Sequence, residues 1–219
     1  DVEMAHILAG SLGVGIEFVP VDLDTMFERL SEGYCDILMS AIAMTPERAE
    51  TVRLSSSYLD MNLAFVVLDH RRGEFASREA LHKLKAPKLA ILDVPYFIDF
   101  IRQRLPEAEL IVVNSAEEFF QSKAKYLDGF IYTAEEGSAW SLLYPQYTVV
   151  VPLPAIAVPL SYPVARADQE LADYVNVFID LKKRDGTLKN LYDYWVLGQF
   201  ATKAQPRWSI IRNVLHWVN

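Results

Sequence analysis

A single cysteine, Cys35, in 219 residues rules out an internal disulfide and a thiolate-held metal cluster. Its four histidines (His6, His70, His82 and His216) lie far apart, with no H-x-x-x-H or H-E-x-x-H spacing, so no metal site is expected. Positive charge is also scarce: the formal net charge is -8, and the only basic runs are Arg71-Arg72 and Lys182-Lys183-Arg184. Nucleic-acid binding is excluded on that ground, because releasing phosphate counterions takes clustered Lys and Arg. No apolar run reaches the ~18 residues needed to span a bilayer. The best candidate, "VVVPLPAIAVPL", is broken by Pro152, Pro154 and Pro159. No basic-then-apolar leader opens the sequence. Internal repeats and low-complexity segments are absent as well.

What is present is an ordinary globular composition, 52% hydrophobic and 23% charged, enough for a sizeable core. The length suits one large domain or two lobes of about 100 residues each. Along the chain, helix and strand patterns alternate. "DVEMAHILAGSLG" reads as a helix with Val2, Ala5, Ile7, Leu8, Ala9 and Leu12 near one face and a stop at Gly13. "VGIEFVPV" alternates as a strand, "DLDTMFERLSEG" as an Asp-initiated helix ending at Gly33, and "CDILMSAIA" as a strand buried on both faces. "NLAFVVLDH" is a further buried strand, followed by a polar crossover.

A second alternating set follows: strands "KLAIL", "ELIVV", "GFIYT" and "YTVVV", with helices from about Pro95, Ser115 and Glu135. Ser115 and Glu118 form a capping-box pattern. Beyond the proline-rich return, a long amphipathic helix with Leu171, Tyr174, Val175, Phe178 and Leu181 as its buried stripe stops at Asp185-Gly186 and is followed by a second helix. A short helix is expected after Pro206, with Trp208, Ile211, Leu215 and Val218 on one face. Alternation of this kind signals an α/β fold with mostly parallel strands.

The stretch "MSAIAMTPERAE" carries the chemistry. Thr45 can cap the following helix, Pro46 suits its first position, and Arg48 sits one turn in, where a guanidinium can grip a carboxylate with two parallel hydrogen bonds. The competing reading is a surface ion pair of Arg48 with Glu47 or Glu50.

In order and wording, "DVEMAHILAGSLGVGIEFVPVD", "LSEGYCDILMSAIAMTPERAETVRLSSSYLDMNLAFVV" and "LKKRDGTLKNLYDYW" resemble the amino-acid branch of the bacterial extracellular solute-binding proteins, over roughly residues 1–198. The resemblance implies the two-lobed type 2 periplasmic binding fold, mixed sheets flanked by helices, with ligand held in an interlobe cleft. Lobe 1 would be residues 1–67 and 160–200, lobe 2 residues 68–159 inserted through a two-strand hinge, and 201–219 a C-terminal helical tail. The family's N-terminal strand and its ligand-facing aromatic would precede Asp1.

The resemblance further implies a periplasmic or extracytoplasmic domain that binds a small carboxylate, an amino acid or dicarboxylate, and works with a membrane transporter component, without cofactor or metal. Arg48 would take the ligand carboxylate with the Ala41 amide; Ala43 stands where Ser or Thr is usual and removes one donor. Thr133 occupies the position of the family's ammonium-binding aspartate, with Glu135 or Glu136 as substitutes. "ILDVPYF" replaces the glycine-threonine anion loop but keeps Asp93 and Tyr96 at a strand-to-helix junction. Tyr58 and Tyr132 would be aromatic walls or core.

"YWVLGQF...PRWSIIRNVLHWVN" and "AEEGSAWSLLYP" resemble a narrower group in which such a domain is fused behind a dicarboxylate-type symporter, placing the transporter in the same polypeptide. The fold resemblance also extends to prephenate- or arogenate-type dehydratases, for which Glu135 or Glu136 would be an acid of raised pKa. A sensor or degenerate module without ligand is the third reading, favoured by Ala43 and Thr133.

Overall fold

A computed structural model describes residues 1–22 and 25–196. The expected helix after Pro206, the tail 201–219 and the end of the symporter-like stretch lie outside the described residues. The chain divides into two units. One comprises Asp1–Asp60 and Pro159–Lys189; the other comprises Met61–Val158 and the residues from Asn190.

The first unit opens with α1 (Val2–Leu12), ended by Gly13 in the left-handed conformation at φ 68°, which only glycine adopts without strain. Met4, Ala5 and Leu8 are its buried residues, whereas Val2 and Leu12 face solvent. "VGIEFVPV" forms no strand. A strand needs a pairing edge, and among the described residues nothing pairs with it; Phe18 instead lies edge-on to His6 with ring centroids 5.6 Å apart.

Next, α2 (Met26–Ser31) is short, and its N-cap is Thr25 rather than an aspartate. Chain reversal follows at Gly33, φ 76°. "CDILMSAIA" is not a continuous strand either. Ile37 makes a single bridge to Val164, Ala41 turns left-handed at φ 50°, and only β1 (Ile42–Ala43) pairs. The helix α3 (Pro46–Thr51) starts as expected, the Thr45 hydroxyl accepting the Arg48 N–H at 3.3 Å and Pro46 filling the first position, where a missing N–H costs nothing.

The core of this unit is Met26, Leu30, Leu38, Ile42 and Val52, with Val21, Phe27, Cys35 and Leu54 packed around it.

In the second unit, β2 (Leu59–Leu68) enters from the first and runs almost wholly buried from Leu63 to Val67. A 3-10 segment (Asp69–Phe75) and α4 (Arg78–Leu81) form the crossover. Then come β3 (Lys88–Leu92), α5 (Pro95–Arg104), β4 (Glu109–Val113), α6 (Ala116–Glu118) running into a π turn (Phe119–Lys123), β5 (Gly129–Thr133), α7 (Ala134–Leu143) and β6 (Tyr147–Val150).

The Ser115 hydroxyl accepts the Glu118 N–H at 3.1 Å, and the Glu118 carboxylate reaches back to the Asn114 N–H at 2.8 Å, a capping box displaced by one residue. The sheet is mixed. β3 runs parallel to β4 and β5, and β2 runs antiparallel to β5 and β6. Against it packs an aromatic core of Phe119, Phe120 and Phe130, with Trp140, Tyr144 and Tyr147 at its margin.

The strand β7 (Ala157–Ser161) carries the chain back to the first unit, where Leu160 and Ser161 pair with Ala43 and Ile42. Along α8 (Gln169–Arg184), capped by Asp168, the buried residues are Ala172, Val175, Phe178 and Ile179. Tyr174 and Leu181, expected in that stripe, are largely exposed. The helix is rotated toward Ala172 and Ile179, because a stripe centred on Val175 and Phe178 can extend to either side and packing chooses the side. A turn at Gly186, φ 81°, leads to α9 (Thr187–Trp195).

Gly129 marks the tightest approach in the sheet: a Cβ there would meet Val67 Cγ1 at 2.8 Å and the Val66 carbonyl oxygen at 3.2 Å. Gly129→Ala should therefore lower stability by about 1–3 kcal/mol, the usual range for overpacking a tight core. Thermal or urea unfolding would check it, and an unchanged midpoint would show that β2 and β5 can separate freely.

Candidate functional site

Arg48 emerges from the first turn of α3, and its surroundings are set by two neighbouring elements. Its Nη1 donates to the Ala43 carbonyl oxygen at 2.6 Å, and its Cζ lies 5.5 Å from the centroid of the Phe27 ring on α2. The side chain is half-buried. Loss of water lowers its pKa, with the charge of Glu47 acting the other way. Among the described residues Arg48 forms no salt bridge, with Glu47, Glu50 or any other carboxylate. A guanidinium has five N–H donors, and one is committed, to a neutral carbonyl. What remains is a desolvated positive charge able to receive an anion.

The other expected partners in this unit are placed as follows. The Ala41 amide, expected to face a ligand, donates to Asp1 Oδ2 at 2.9 Å, and the Tyr162 hydroxyl donates to Asp1 Oδ1 at 3.1 Å. An internal carboxylate thus already occupies that N–H, and it does so where Ala41 adopts positive φ. Ala43 contributes its carbonyl to Arg48 and no hydroxyl. Tyr58 is only 7% exposed, its ring stacked on Tyr162 at 4.0 Å and 16°, and its N–H donates to the Leu160 carbonyl at 2.9 Å.

In the second unit the start of α7 gathers a different set. Thr133 is its N-cap: the hydroxyl accepts the Glu136 N–H at 3.3 Å and donates to Glu136 Oε2 at 2.7 Å. Glu135 Oε2 accepts the Asn62 N–H at 3.3 Å. Burial raises the pKa of both carboxyls, in Glu135 reinforced by Glu136 and opposed by hydrogen bonds, in Glu136 opposed by Thr133. The Tyr192 hydroxyl is pushed up to about 12 by burial and the nearby Glu135. Tyr132 packs on Phe130, ring centroids 4.8 Å apart, within the aromatic core. Asp93 and Tyr96 lie exposed at the junction of β3 and α5, Tyr96 edge-on to Phe97.

Asp1, Phe27, Asn62, Tyr162 and Tyr192 were not singled out from the sequence. Their contacts run over long separations, 161 positions for Asp1 with Tyr162 and 73 for Asn62 with Glu135, and no local pattern announces them. Among the described residues, no group of three or more His, Cys, Asp or Glu is placed to hold a metal ion.

Two α/β units, each with helices on its strands, joined by β2 and β7, and one carrying an arginine at a Thr-Pro helix start, define a binding protein of the type 2 periplasmic class. The family model of bacterial extracellular solute-binding proteins, family 3, matches residues 1–198, and the chain belongs to that family.

Among solved structures, an ancestral amino acid-binding protein described as a precursor of cyclohexadienyl dehydratase superposes with a TM-score of 0.73 at 27% identity, over 89% of this chain and 83% of that one. The cyclohexadienyl dehydratase of Pseudomonas aeruginosa is 25% identical over 209 residues, 92% of this chain and 75% of the relative. A putative ABC transporter arginine-binding protein 2 of Escherichia coli is 22% identical over 200 residues, 89% and 80% respectively. The α/β fold expected from the sequence is the fold of that ancestral amino acid-binding protein. An extracellular family implies an extracytoplasmic setting, and no described helix is long and apolar enough to cross a membrane.

The raised carboxyls have a pH consequence. A carboxyl whose pKa is higher folded than unfolded stabilises fully below its unfolded pKa, and that contribution is lost as pH rises through the folded value. Glu136→Gln keeps the shape and cannot ionise. It should melt higher than the parent near neutral pH, with the gap closing toward acid; melts from about pH 4 to about pH 8 would check this. A gap that widens on acidification would contradict the burial of Glu136.

Proposed function

We propose that the chain captures an amino acid or another small carboxylate, a dicarboxylate included, in the periplasm and hands it to a membrane transporter component, with Arg48 receiving the carboxylate. The observation that carries this reading is the half-buried guanidinium of Arg48, without a salt bridge among the described residues and oriented only by a carbonyl and a ring. A charge removed from water calls for a counter-charge, and a carboxylate matches the guanidinium fork in shape. Relatives named as arginine-binding and amino acid-binding proteins support the ligand class. The methyl of Ala43 and the Asp1 contact of Ala41 leave fewer donors around the carboxylate than the family resemblance implies, so affinity should rest on Arg48 to an unusual degree.

A second reading has its own observation: Glu135 and Glu136, both shifted toward the protonated form by burial at the start of α7, in a chain related to a cyclohexadienyl dehydratase. A carboxylic acid in its protonated form can serve as a general acid; Glu136 would donate its proton to the hydroxyl as the C–O bond breaks, so that water leaves while loss of carbon dioxide supplies the electron pair.

Thermal-shift screening against amino acids, dicarboxylates and prephenate separates the readings, since a ligand that binds only the folded state raises its stability. Stabilisation by an amino acid or dicarboxylate, reduced by about 2–5 kcal/mol of binding energy in Arg48→Ala, is the expected result. An unchanged dissociation constant in Arg48→Ala would remove Arg48 from the site. Turnover of prephenate that disappears in Glu136→Gln would favour the enzyme, and silence across the panel a module that binds none of these ligands.

A further inference from the structure

We infer that Phe27 is the positioning residue of the carboxylate site: its ring and the Ala43 carbonyl together hold the Arg48 guanidinium in one orientation without neutralising it. The inference rests on the reading of Arg48 as the carboxylate receptor, and goes beyond it by naming what aims the side chain. Met26 and Leu30, one turn apart on α2, anchor that helix in the core of the first unit with Leu38, Ile42 and Val52. Phe27, one position on, sits at the edge of the same cluster. There its ring comes within 5.5 Å of Arg48 Cζ, inside cation–π range. The Ala43 carbonyl takes Nη1 from the strand β1. One contact comes from the helix before the guanidinium and one from the strand before it, and both are anchored by buried neighbours.

The choice of neutral partners is what makes this a receptor and not a structural bridge. Arg71 shows the alternative: each of its three nitrogens donates to a carboxylate of Glu74 or Asp128, and the hydrogen bond to Glu74, with that to Asp128 and both charges, raises its pKa. Arg104 makes the same kinds of contact as Arg48, to a backbone carbonyl and an aromatic ring, both of Phe100, but on the exposed surface of α5, open to solvent. In Arg48 burial and neutral partners coincide with no carboxylate partner among the described residues, which leaves the guanidinium both held and unsatisfied. A flexible arginine would lose its rotamer freedom on meeting a ligand. Phe27 and the Ala43 carbonyl impose that restriction beforehand, which is the source of preorganised affinity.

The test compares an acid with its amide. The twenty standard L-amino acids are screened by thermal shift, and calorimetry then measures affinity for the best of them and for its α-carboxamide, which lacks the carboxylate, in the parent, Arg48→Ala, Phe27→Leu, Phe27→Met and Phe27→Trp. Phe27→Leu and Phe27→Met should keep the parent melting temperature within a few degrees and lose about five- to thirty-fold in affinity for the acid. Affinity for the amide should hardly change, and Phe27→Trp should restore the acid.

Parent-like acid affinity in Phe27→Leu, equal losses for acid and amide, or failure of both the leucine and methionine variants to fold would each overturn the role of Phe27 while leaving Arg48 in place. If the parent binds none of the panel, or Arg48→Ala binds the acid as tightly as the parent, the carboxylate reading falls and this inference falls with it.

Discussion

A cation taken out of water with no counter-charge among the described residues is the constraint on which the first unit turns. Desolvation of Arg48 is unfavourable, and neither the Ala43 carbonyl nor the Phe27 ring returns the energy of an ion pair. The unit tolerates this because the elements that hold Arg48 are fixed for other reasons. Thr45 and Pro46 set the start of α3, Ile42 and Val52 bury the strand before it and the residue after it, and α2 is anchored through Met26 and Leu30. The packing is therefore what keeps an unsatisfied group in place, and such groups are where binding chemistry is ordinarily found.

The first unit holds a second arrangement, in which Asp1 ties three distant parts of the chain. It sits at the start of α1, accepts the amide of left-handed Ala41 and takes the hydroxyl of fully buried Tyr162, which in turn stacks on Tyr58. A positive φ at alanine is uncommon and mildly strained. The hydrogen bond from its amide to a carboxylate, a charge-assisted bond of the stronger kind, offsets that strain and breaks the apolar run 35–43 before β1 begins. The interrupted strand is thus a consequence of the same contact that occupies the Ala41 amide.

In the second unit the titratable groups of note are two neighbouring glutamates. Glu135 and Glu136 occupy the first turn of α7, where the helix dipole favours anions, yet burial pushes both toward protonation and is the larger effect. Thr133 shows how a single side chain changes use. Its hydroxyl caps the helix and holds Glu136, a structural task that accounts for a threonine at this position whatever the ligand. The chain is similar both to amino acid-binding proteins and to a dehydratase.

Much of the fold was legible because local rules agreed with it. Strand runs such as "KLAIL" and "GFIYT", the Thr45-Pro46 and Ser115 helix starts, and the stops at Gly13, Gly33 and Gly186 depend on nearest neighbours along the chain, and family wording tied them to a solute-binding fold. Where pairing depended on another segment, local reading failed. "VGIEFVPV" has the alternation of a strand but no partner among the described residues. "CDILMSAIA" has the composition of one but is broken at Ala41, and the stripe of α8, right at Val175 and Phe178, was extended to Tyr174 and Leu181 where packing buries Ala172 and Ile179.

The site divides in the same way. The presence of Arg48 one turn into a capped helix is a property of consecutive residues, and the sequence alone established it together with the α/β class. Which groups surround that arginine, that Phe27 and a carbonyl hold it while no described carboxylate does, and that Asp1 claims the Ala41 amide, only the tertiary structure decided. Those contacts join residues between 5 and 40 positions apart, and a chain does not encode in any local pattern which of its more distant groups will meet once the core has closed.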